Sequence, residues 1–278
     1  MSQSPNAFRP DIQGQAATSR VRQEEKYSLL TLPERPVKPR TSGLTMVIDG
    51  GIPLGLFRDL IEFGADYIDY VKFGWGTSLV TGCVREKISV LGEHGIDFYF
   101  GGTLFEKFVL QGHFEDYRRF CEAHSASHVE VSNGTIDMSN AEKAGYIRKL
   151  APDFTVVSEV GFKDPGRSEM LPPSEWVAAI REDLDAGASL VTLEARESGK
   201  SGICRPDGEL RYGLIEDVLH AGIAIDSLLF EAPTTALQTH LITRIGPNVN
   251  LGNVPAQGVI GLETLRLGLR ADTLTAFE

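Results

Sequence analysis

The segment Asp66–Ser78, DYIDYVKFGWGTS, decides the fold prediction because it joins a strand, a cation and a glycine-rich turn. Its first half is rich in aromatic and β-branched residues, which suit a buried strand. Gly74 and Gly76 let the backbone bend or approach a ligand closely. Lys72, just before them, either reaches solvent from the strand end or points into a pocket at the strand's carboxyl edge. The segment alone favours neither reading.

The same unit of strand followed by helix recurs along the rest of the chain. Short apolar strands alternate about eight times with stretches of helical periodicity, and such alternation is typical of a parallel sheet covered by helices. Eight units fit a closed (β/α)8 TIM barrel better than an open doubly wound sheet, and the sequence lacks GxGxxG and GxxxxGK[ST] phosphate motifs. We therefore predict an α/β protein with a (β/α)8 barrel as its catalytic domain, residues 44–278.

The predicted strands are Leu44–Ile48, Asp66–Phe73, Ile96–Phe100, His128–Val131, Phe154–Val160, Leu190–Leu193, Leu228–Phe230 and Val249–Leu251. A helix over Leu104–His124 is expected to break near Gly112, and Lys163 is expected in a loop. Ser174 is the predicted N-cap of a helix over Glu175–Ala186.

Residues 1–43 contain several prolines and no regular apolar periodicity, which predicts an extended, partly disordered N-terminal arm. Leu29, Leu30 and Leu32 are possible anchoring points. For the basic stretch Arg35–Arg40, RPVKPR, a solvated linker is favoured over a binding motif.

Composition excludes several functional classes. The net charge of −11 argues against a nucleic-acid-binding protein, although a local group of cations can still receive a small anionic substrate. No apolar run approaches the roughly 20 residues of a membrane span, and the N-terminus lacks a signal-peptide core. Three widely separated cysteines argue against a zinc site or a disulfide framework. We expect a cytoplasmic homo-oligomer without nucleic-acid or membrane partners.

Polar or glycine residues stand at all eight predicted strand ends. Since barrel active sites lie at the carboxyl ends of the strands, this pattern favours a catalytic site over a purely structural barrel. The residues are Asp49, Lys72, Gly101, Gly102, Glu130, Ser132, Asn133, Glu159, Lys163, Glu194, Arg196, Glu197, Glu231, Asn250 and Asn253.

Three of these, Glu159, Glu194 and Glu231, end successive strands and would repel one another without a cation. Mg²⁺, which prefers carboxylates and water, is the favoured partner. An internal salt-bridge network with lysine and arginine is the alternative.

Other strand-end residues are candidates for substrate contacts. Arg196 can bind a carboxylate or phosphate in two-pronged fashion, and the amides of Gly252 and Asn253 can cradle a phosphate. Lys163 is the best candidate proton donor, and with Lys72 and Arg196 it completes the predicted catalytic set. The other predicted substrate-binding residues are Asp49, Gly101, Gly102, Ser132 and Asn133. Most histidines fall in predicted helices or at their ends, so a histidine-based site is not expected.

Eight stretches match the motifs of one known family in order: DYIDYVKFGWGTS, GGTLFE, VEVSNGTID, SEVG, EARESGKSGI, EAP, VNLGN and LETLRLGLRADT. With them, the chain resembles the phosphosulfolactate synthase family from about Leu44 to Thr273. The resemblance implies a (β/α)8 barrel and Mg²⁺-dependent addition of sulfite to phosphoenolpyruvate. The product is phosphosulfolactate, a step toward coenzyme M. The second lysine of the family's EVGKK motif matches Lys163, which implies the proton donor.

The chain departs from the family pattern at a few positions. Gly50, Phe162 and Thr235 stand where the family usually has lysine, and Asn133 replaces the aspartate of its SDG motif. Fewer cations suggest that one substrate is less anionic. The alternatives are therefore the same chemistry with a less anionic nucleophile, or a non-catalytic, stress-related barrel homologue. The non-catalytic reading is disfavoured by the retained residues Lys163, Glu159, Glu194 and Arg196.

Overall fold

A computed structural model of the protein describes residues 29–277. Its single sheet has eight parallel strands in the order β3-β2-β1-β8-β7-β6-β5-β4. The strands are β1 (Thr45–Asp49), β2 (Tyr70–Phe73), β3 (Asp97–Phe100), β4 (His128–Val131), β5 (Thr155–Val160), β6 (Leu190–Leu193), β7 (Leu228–Glu231) and β8 (Leu251–Pro255).

Eleven α-helices in the described residues surround the sheet and complete the predicted (β/α)8 barrel, which is thus confirmed. They are α1 (Leu54–Gly64), α2 (Thr77–Val80), α3 (Val84–Glu93), α4 (Gly102–Leu110), α5 (Phe114–Ala123), α6 (Asn140–Leu150), α7 (Pro165–Met170), α8 (Pro173–Asp185), α9 (Tyr212–His220), α10 (Thr235–Ile245) and α11 (Val259–Arg266). None of the helices between residues 29 and 277 combines the length and apolar character that a membrane span requires.

The hydrogen-bonded ladder is not continuous between β3 and β4 in the described part of the chain. Side chains close this seam instead. Ser127 Oγ donates to Asp97 Oδ1 at 2.8 Å, and the Gly102 amide donates to Glu130 Oε2. The two sheet edges are therefore joined in part through Gly102, which lies at the mouth of the barrel.

Successive side chains of each strand alternate between the face that packs against the helices and the face that points into the barrel. Val71 and Phe73 of β2 pack outward against the helices, whereas Tyr70 and Lys72 share the opposite face of the strand. Six residues form the apolar filling of the barrel interior: Leu44, Met46, Tyr99, Val157, Leu190 and Leu229. Glu159 and Glu231 each follow one of these interior residues by two positions, so their side chains lie one layer closer to the mouth.

The basic stretch before β1 is not a solvated linker, so that interpretation was wrong. Arg35 Nε lies 2.9 Å from Glu263 Oε1, and both side chains are buried. Arg40 Nε lies 2.8 Å from Asp69 Oδ1, at the loop that enters β2. These ion pairs bind the chain to the amino-terminal side of the barrel. Leu29 and Leu30 are exposed and do not anchor it, and residues 1–28 lie outside the described range.

The structure confirms one predicted helix boundary and shifts several others. The helix break is confirmed, because α4 ends at Leu110 and Gly112 adopts φ 73° before α5. The predicted loop after Lys163 contains the short helix α7, and Pro172 rather than Ser174 occupies the N-cap position of α8. The predicted end of the last strand was also wrong, because β8 continues to Pro255 and includes Gly252 and Asn253.

Candidate active site

The carboxyl ends of the strands surround a cleft. Its lining combines strand-end carboxylates and lysines with the glycine turns that follow β2 and β3. The lining residues are Ile48, Lys72, Trp75, Gly101, Gly102, Thr103, Glu159, Lys163, Glu194, Glu197, Glu231 and Asn253.

Lys72 points into this cleft, which excludes the solvent-reaching alternative. Its Nζ lies 3.0 Å from Glu130 Oε1, 3.3 Å from Glu159 Oε2 and 3.5 Å from Glu231 Oε1. Burial alone would lower the pKa of this ammonium, but the three carboxylates raise that pKa well above its ordinary value. Lys72 therefore stays charged at the base of the cleft.

Lys163 shares one of these carboxylates, that of Glu159, with Lys72. Its Nζ lies 2.8 Å from Glu159 Oε1, and 3.7 Å from Glu194 Oε2. Burial opposes the charged form here too, but Glu159, Glu194 and Glu106 raise the pKa of Lys163 overall. Glu159 thus lies between two permanent positive charges.

Glu159, Glu194 and Glu231 meet as their positions on successive strands predicted. Each offers one oxygen, and the three oxygens lie within 4.8 Å of one another. Their surroundings differ. Burial favours the neutral form of Glu159, but Lys163 and Lys72 outweigh it and lower its pKa. Burial, followed by the charges of Glu159 and Glu231, raises the pKa of Glu194 well above its ordinary value.

This donor set fits a hard divalent cation. Glu194 Oε2 is buried and has no hydrogen-bond partner among residues 29–277, and the same holds for Asn253 Oδ1. Both residues line the cleft. Carboxylate and amide oxygens with unused lone pairs are the ligands that Mg²⁺ takes in proteins. A bound cation would also relieve the repulsion among the three glutamates.

The backbone after β6 holds two of these glutamates in place. Arg196 has a left-handed φ of 59°, which a non-glycine residue rarely adopts. In this conformation its amide donates to Glu231 Oε2 at 2.9 Å and also to Glu194 Oε1. The Ala195 amide donates to the same Glu231 oxygen at 2.9 Å. Local strain of this kind is commonly found at functional sites.

Comparison with known proteins identifies the family of the chain. The sequence profile of the (2R)-phospho-3-sulfolactate synthase family matches residues 33–272. The phosphosulfolactate synthase of Bacillus subtilis is 50% identical over 244 residues, which cover 88% of this chain and 97% of that protein. The chain belongs to the phosphosulfolactate synthase family. The Methanothermobacter thermautotrophicus phosphosulfolactate synthase is 41% identical over 252 residues, 89% of this chain and 97% of that protein.

Solved structures support the architecture alone. The 3-hexulose-6-phosphate synthase of Salmonella typhimurium has a TM-score of 0.53 and 15% identity, and the match covers 82% of this chain and all of that one. A likeness at this identity identifies the barrel and says nothing about the reaction.

Eight of the predicted site residues of this phosphosulfolactate synthase family member line the cleft together: Lys72, Gly101, Gly102, Glu159, Lys163, Glu194, Glu231 and Asn253. Five others lie outside the lining: Asp49, Ser132, Asn133, Arg196 and Gly252.

The five that lie outside have contacts within the protein. The Asp49 carboxylate accepts from the Ile52 amide at 2.7 Å and pairs with Lys87. Ser132 Oγ donates to Glu106, and Asn133 Nδ2 donates to the Met138 carbonyl at 2.9 Å.

The other two, Gly252 and Arg196, are not among the residues that line the cleft. Gly252 faces the apolar interior, where an added Cβ would lie 2.9 Å from Met46 Cε. The Arg196 side chain is partly exposed, and its Nη1 donates to the Lys163 carbonyl at 3.3 Å. Its amide donates to Glu194 and Glu231, and its guanidinium lies 3.5 Å from Glu197, which lines the cleft.

Glu130 and Glu106 were not assigned site roles from the sequence. Glu130 lies beneath the cleft against Lys72. Glu106, on α4, is almost fully buried, and its Oε2 accepts from the Thr135 amide at 3.0 Å. A single glutamate within the apolar run GTLFEKFVL was the available signal, because a buried carboxylate requires a partner. None of the residues that line the described cleft is a histidine, as expected.

Proposed function

We propose that the cleft catalyses the Mg²⁺-dependent addition of sulfite to phosphoenolpyruvate, giving phosphosulfolactate for a coenzyme M type pathway. The observation that carries the proposal is the meeting of two buried ammonium groups with the Glu159, Glu194 and Glu231 carboxylates around one cleft. Family membership supports the substrates. The residues therefore supply positive charge for anionic substrates and oxygen ligands for a cation.

The reaction needs stabilisation of charge on the carboxylate side of the substrate. The lone pair of sulfite sulfur attacks the methylene carbon and forms the C–S bond. The π electrons of the enol then move toward the carboxylate, which becomes an enediolate. Finally, the carbon that bears the phosphate accepts a proton. When bound, Mg²⁺ would supply Lewis-acid stabilisation of the developing charge. Lys72, which is buried, and Lys163, which is partly buried, add fixed positive charge.

Lys163 is the proposed proton donor. Its ammonium lies at the cleft and is kept protonated by neighbouring carboxylates, which raise its pKa. Each lysine makes ion pairs with three glutamates, but Lys72 is more deeply buried, with 8% of its side chain exposed against 21% for Lys163. We therefore assign Lys72 to electrostatic support and Lys163 to proton transfer. Glu159 contacts both lysines and thereby orients them.

A less anionic nucleophile is the second candidate. Among the residues that line the described cleft, only Lys72 and Lys163 carry positive charge. At Phe162, where the family usually has lysine, the Arg167 guanidinium lies 4.1 Å from the ring centroid, and neither residue lines the cleft. Fewer cations around the site favour a nucleophile with less negative charge than sulfite.

Phosphorus NMR tests the proposal directly. With phosphoenolpyruvate, sulfite and Mg²⁺, the substrate signal should be replaced by that of a new phosphate monoester. Excess EDTA should stop the conversion and added Mg²⁺ should restore it. Conversion with a neutral thiol but not with sulfite would support the second candidate. No conversion with either nucleophile, by protein that still binds phosphoenolpyruvate, would contradict the proposed addition chemistry.

A further inference from the structure

We propose that a buried ion pair in the helical layer, Lys143 with Asp183, is a positioning device for the Glu159 carboxylate. Lys143 lies on α6 and Asp183 on α8, outside the barrel wall. Neither residue lines the cleft. The pair would thus act on the site through the backbone of β5.

The geometry connects the pair to Glu159 through one hydrogen bond. Lys143 Nζ lies 2.7 Å from Asp183 Oδ2 and donates to the Glu159 carbonyl at 2.9 Å. Lys143 and Asp183 are both fully buried. The ammonium therefore holds the main chain of Glu159 from the helical side, while the Glu159 side chain contacts Lys72 and Lys163 inside the mouth.

Stability alone is a weak reason for such a pair. Removing two charges from water is costly, and well-packed apolar residues of similar volume often stabilise a protein equally well or better. What apolar residues cannot do is donate a hydrogen bond to the Glu159 carbonyl. The carbonyl fixes the peptide plane next to the Glu159 Cα, so this bond restricts the direction of the carboxylate.

Neighbouring strand ends are held in the same way. Tyr117 Oη donates to the Glu130 carbonyl at 3.2 Å. Gln238 Nε2 donates to the carbonyl of Ala232, next to Glu231, at 3.0 Å. Helical side chains thus hold the main chain at three strands that bear site carboxylates. Of these three donors, Lys143 alone is charged, and it supports the glutamate that both lysines share.

The role in metal binding rests on the proposed function, so the experiment has two readouts. Lys143→Met/Asp183→Leu replaces the pair with apolar residues and removes the donor to Glu159. The matched control is Arg35→Met/Glu263→Leu. That pair is also buried and joins the segment before β1 to α11, and its Arg35 also donates to a backbone carbonyl, that of Gly43 at 3.1 Å. Circular dichroism checks that both variants are folded.

The first readout is hydrogen–deuterium exchange of the peptide that covers residues 155–163, which does not depend on any metal. Exchange should be faster in the Lys143→Met/Asp183→Leu variant and unchanged in the control. Unchanged exchange in both variants would overturn the positioning role. If the double variant does not fold, Asp183→Asn serves with the same readout, since it keeps the volume but removes the partner charge of Lys143.

The second readout is the Kd for Mg²⁺ from calorimetry. Loss of an outer contact to a ligand typically weakens metal affinity by about 10- to 100-fold, and we expect that change for the Lys143 variant only. An unchanged Kd would overturn the link between this pair and the metal. If wild-type protein binds no Mg²⁺ even with phosphoenolpyruvate present, the proposed metal site fails, while the exchange experiment still decides the positioning role.

Discussion

The Lys163 ammonium lies 2.8 Å from the carboxylate of Glu159, four residues earlier in the chain. The contact requires the chain to fold back immediately after β5. Gly161 permits this with a φ of 123°, and the Lys163 amide donates to the Gly134 carbonyl at 3.1 Å. The proposed proton donor is thereby held against a proposed metal ligand.

Replacing Lys163 with methionine should damage turnover more than substrate binding. General acid catalysis typically contributes about 100- to 10,000-fold, so kcat for Lys163→Met should fall by about that factor while KM changes much less. Steady-state kinetics with phosphoenolpyruvate, sulfite and Mg²⁺ measure both constants. Lys107→Met, at an exposed position on α4, is the control and should retain wild-type rates. Equal rates for Lys163→Met and wild type would show that another group donates the proton.

Glu130 should make stability depend on pH. Burial raises the pKa of its carboxyl from 4.5 to about 7, against the opposing effect of Lys72. Because the pKa is higher in the folded state, the stability contributed by protonated Glu130 is complete below about pH 4.5 and is lost as pH rises through about 7. The melting temperature of wild type in EDTA should therefore fall more steeply across that window than that of Glu130→Gln. Parallel melting curves would contradict the raised pKa.

Gly102 should tolerate no side chain at the seam between β3 and β4. An added Cβ would lie 2.8 Å from Ser132 Cβ, so Gly102→Ala should destabilise the protein by about 1–3 kcal/mol through overpacking. Urea denaturation measures this change. Gly145→Ala in α6 is the control, because nothing lies within 4 Å of its added Cβ, and it should stabilise by about 0.5–1 kcal/mol.

A double-variant cycle tests the cause of this destabilisation. Gly102→Ala with Ser132→Gly should lose less stability than the sum of the two single changes, because the clashing atom is gone. Strict additivity would mean that Ser132 is not the obstacle.

The three cysteines should differ sharply in reactivity. Burial raises the pKa of both the Cys121 and Cys204 thiols to about 12, whereas Cys83 is partly exposed at the start of α3. Since the thiolate is the reactive form, iodoacetamide should modify native protein once, at Cys83. Mass spectrometry of native and urea-unfolded protein gives the count. Early modification of Cys121 or Cys204 would contradict the buried assignment.

Much of the barrel could be predicted because the sequence patterns that mark its strands and helices are local. The strand Leu190–Leu193 was predicted with its observed bounds, since short, mostly apolar runs between polar turns are visible in the sequence. The meeting of Glu159, Glu194 and Glu231 also followed, because successive parallel strands end at the same edge. The end of β8 was not predictable, because Gly252 and Asn253 have low strand propensity and only pairing with β7 and β1 makes them part of the sheet.

The sequence by itself determined the alternation of strands and helices, and therefore which residues stand at the barrel mouth. Only the tertiary structure decided what each of them does there. Asp49 and Lys72 both end early strands, yet Asp49 turns to Lys87 in the helical layer, whereas Lys72 turns to three glutamates in the barrel. The direction of a side chain depends on the register and tilt of the strands in the barrel. Its charge depends on burial and neighbours far away in the chain, which no local pattern encodes.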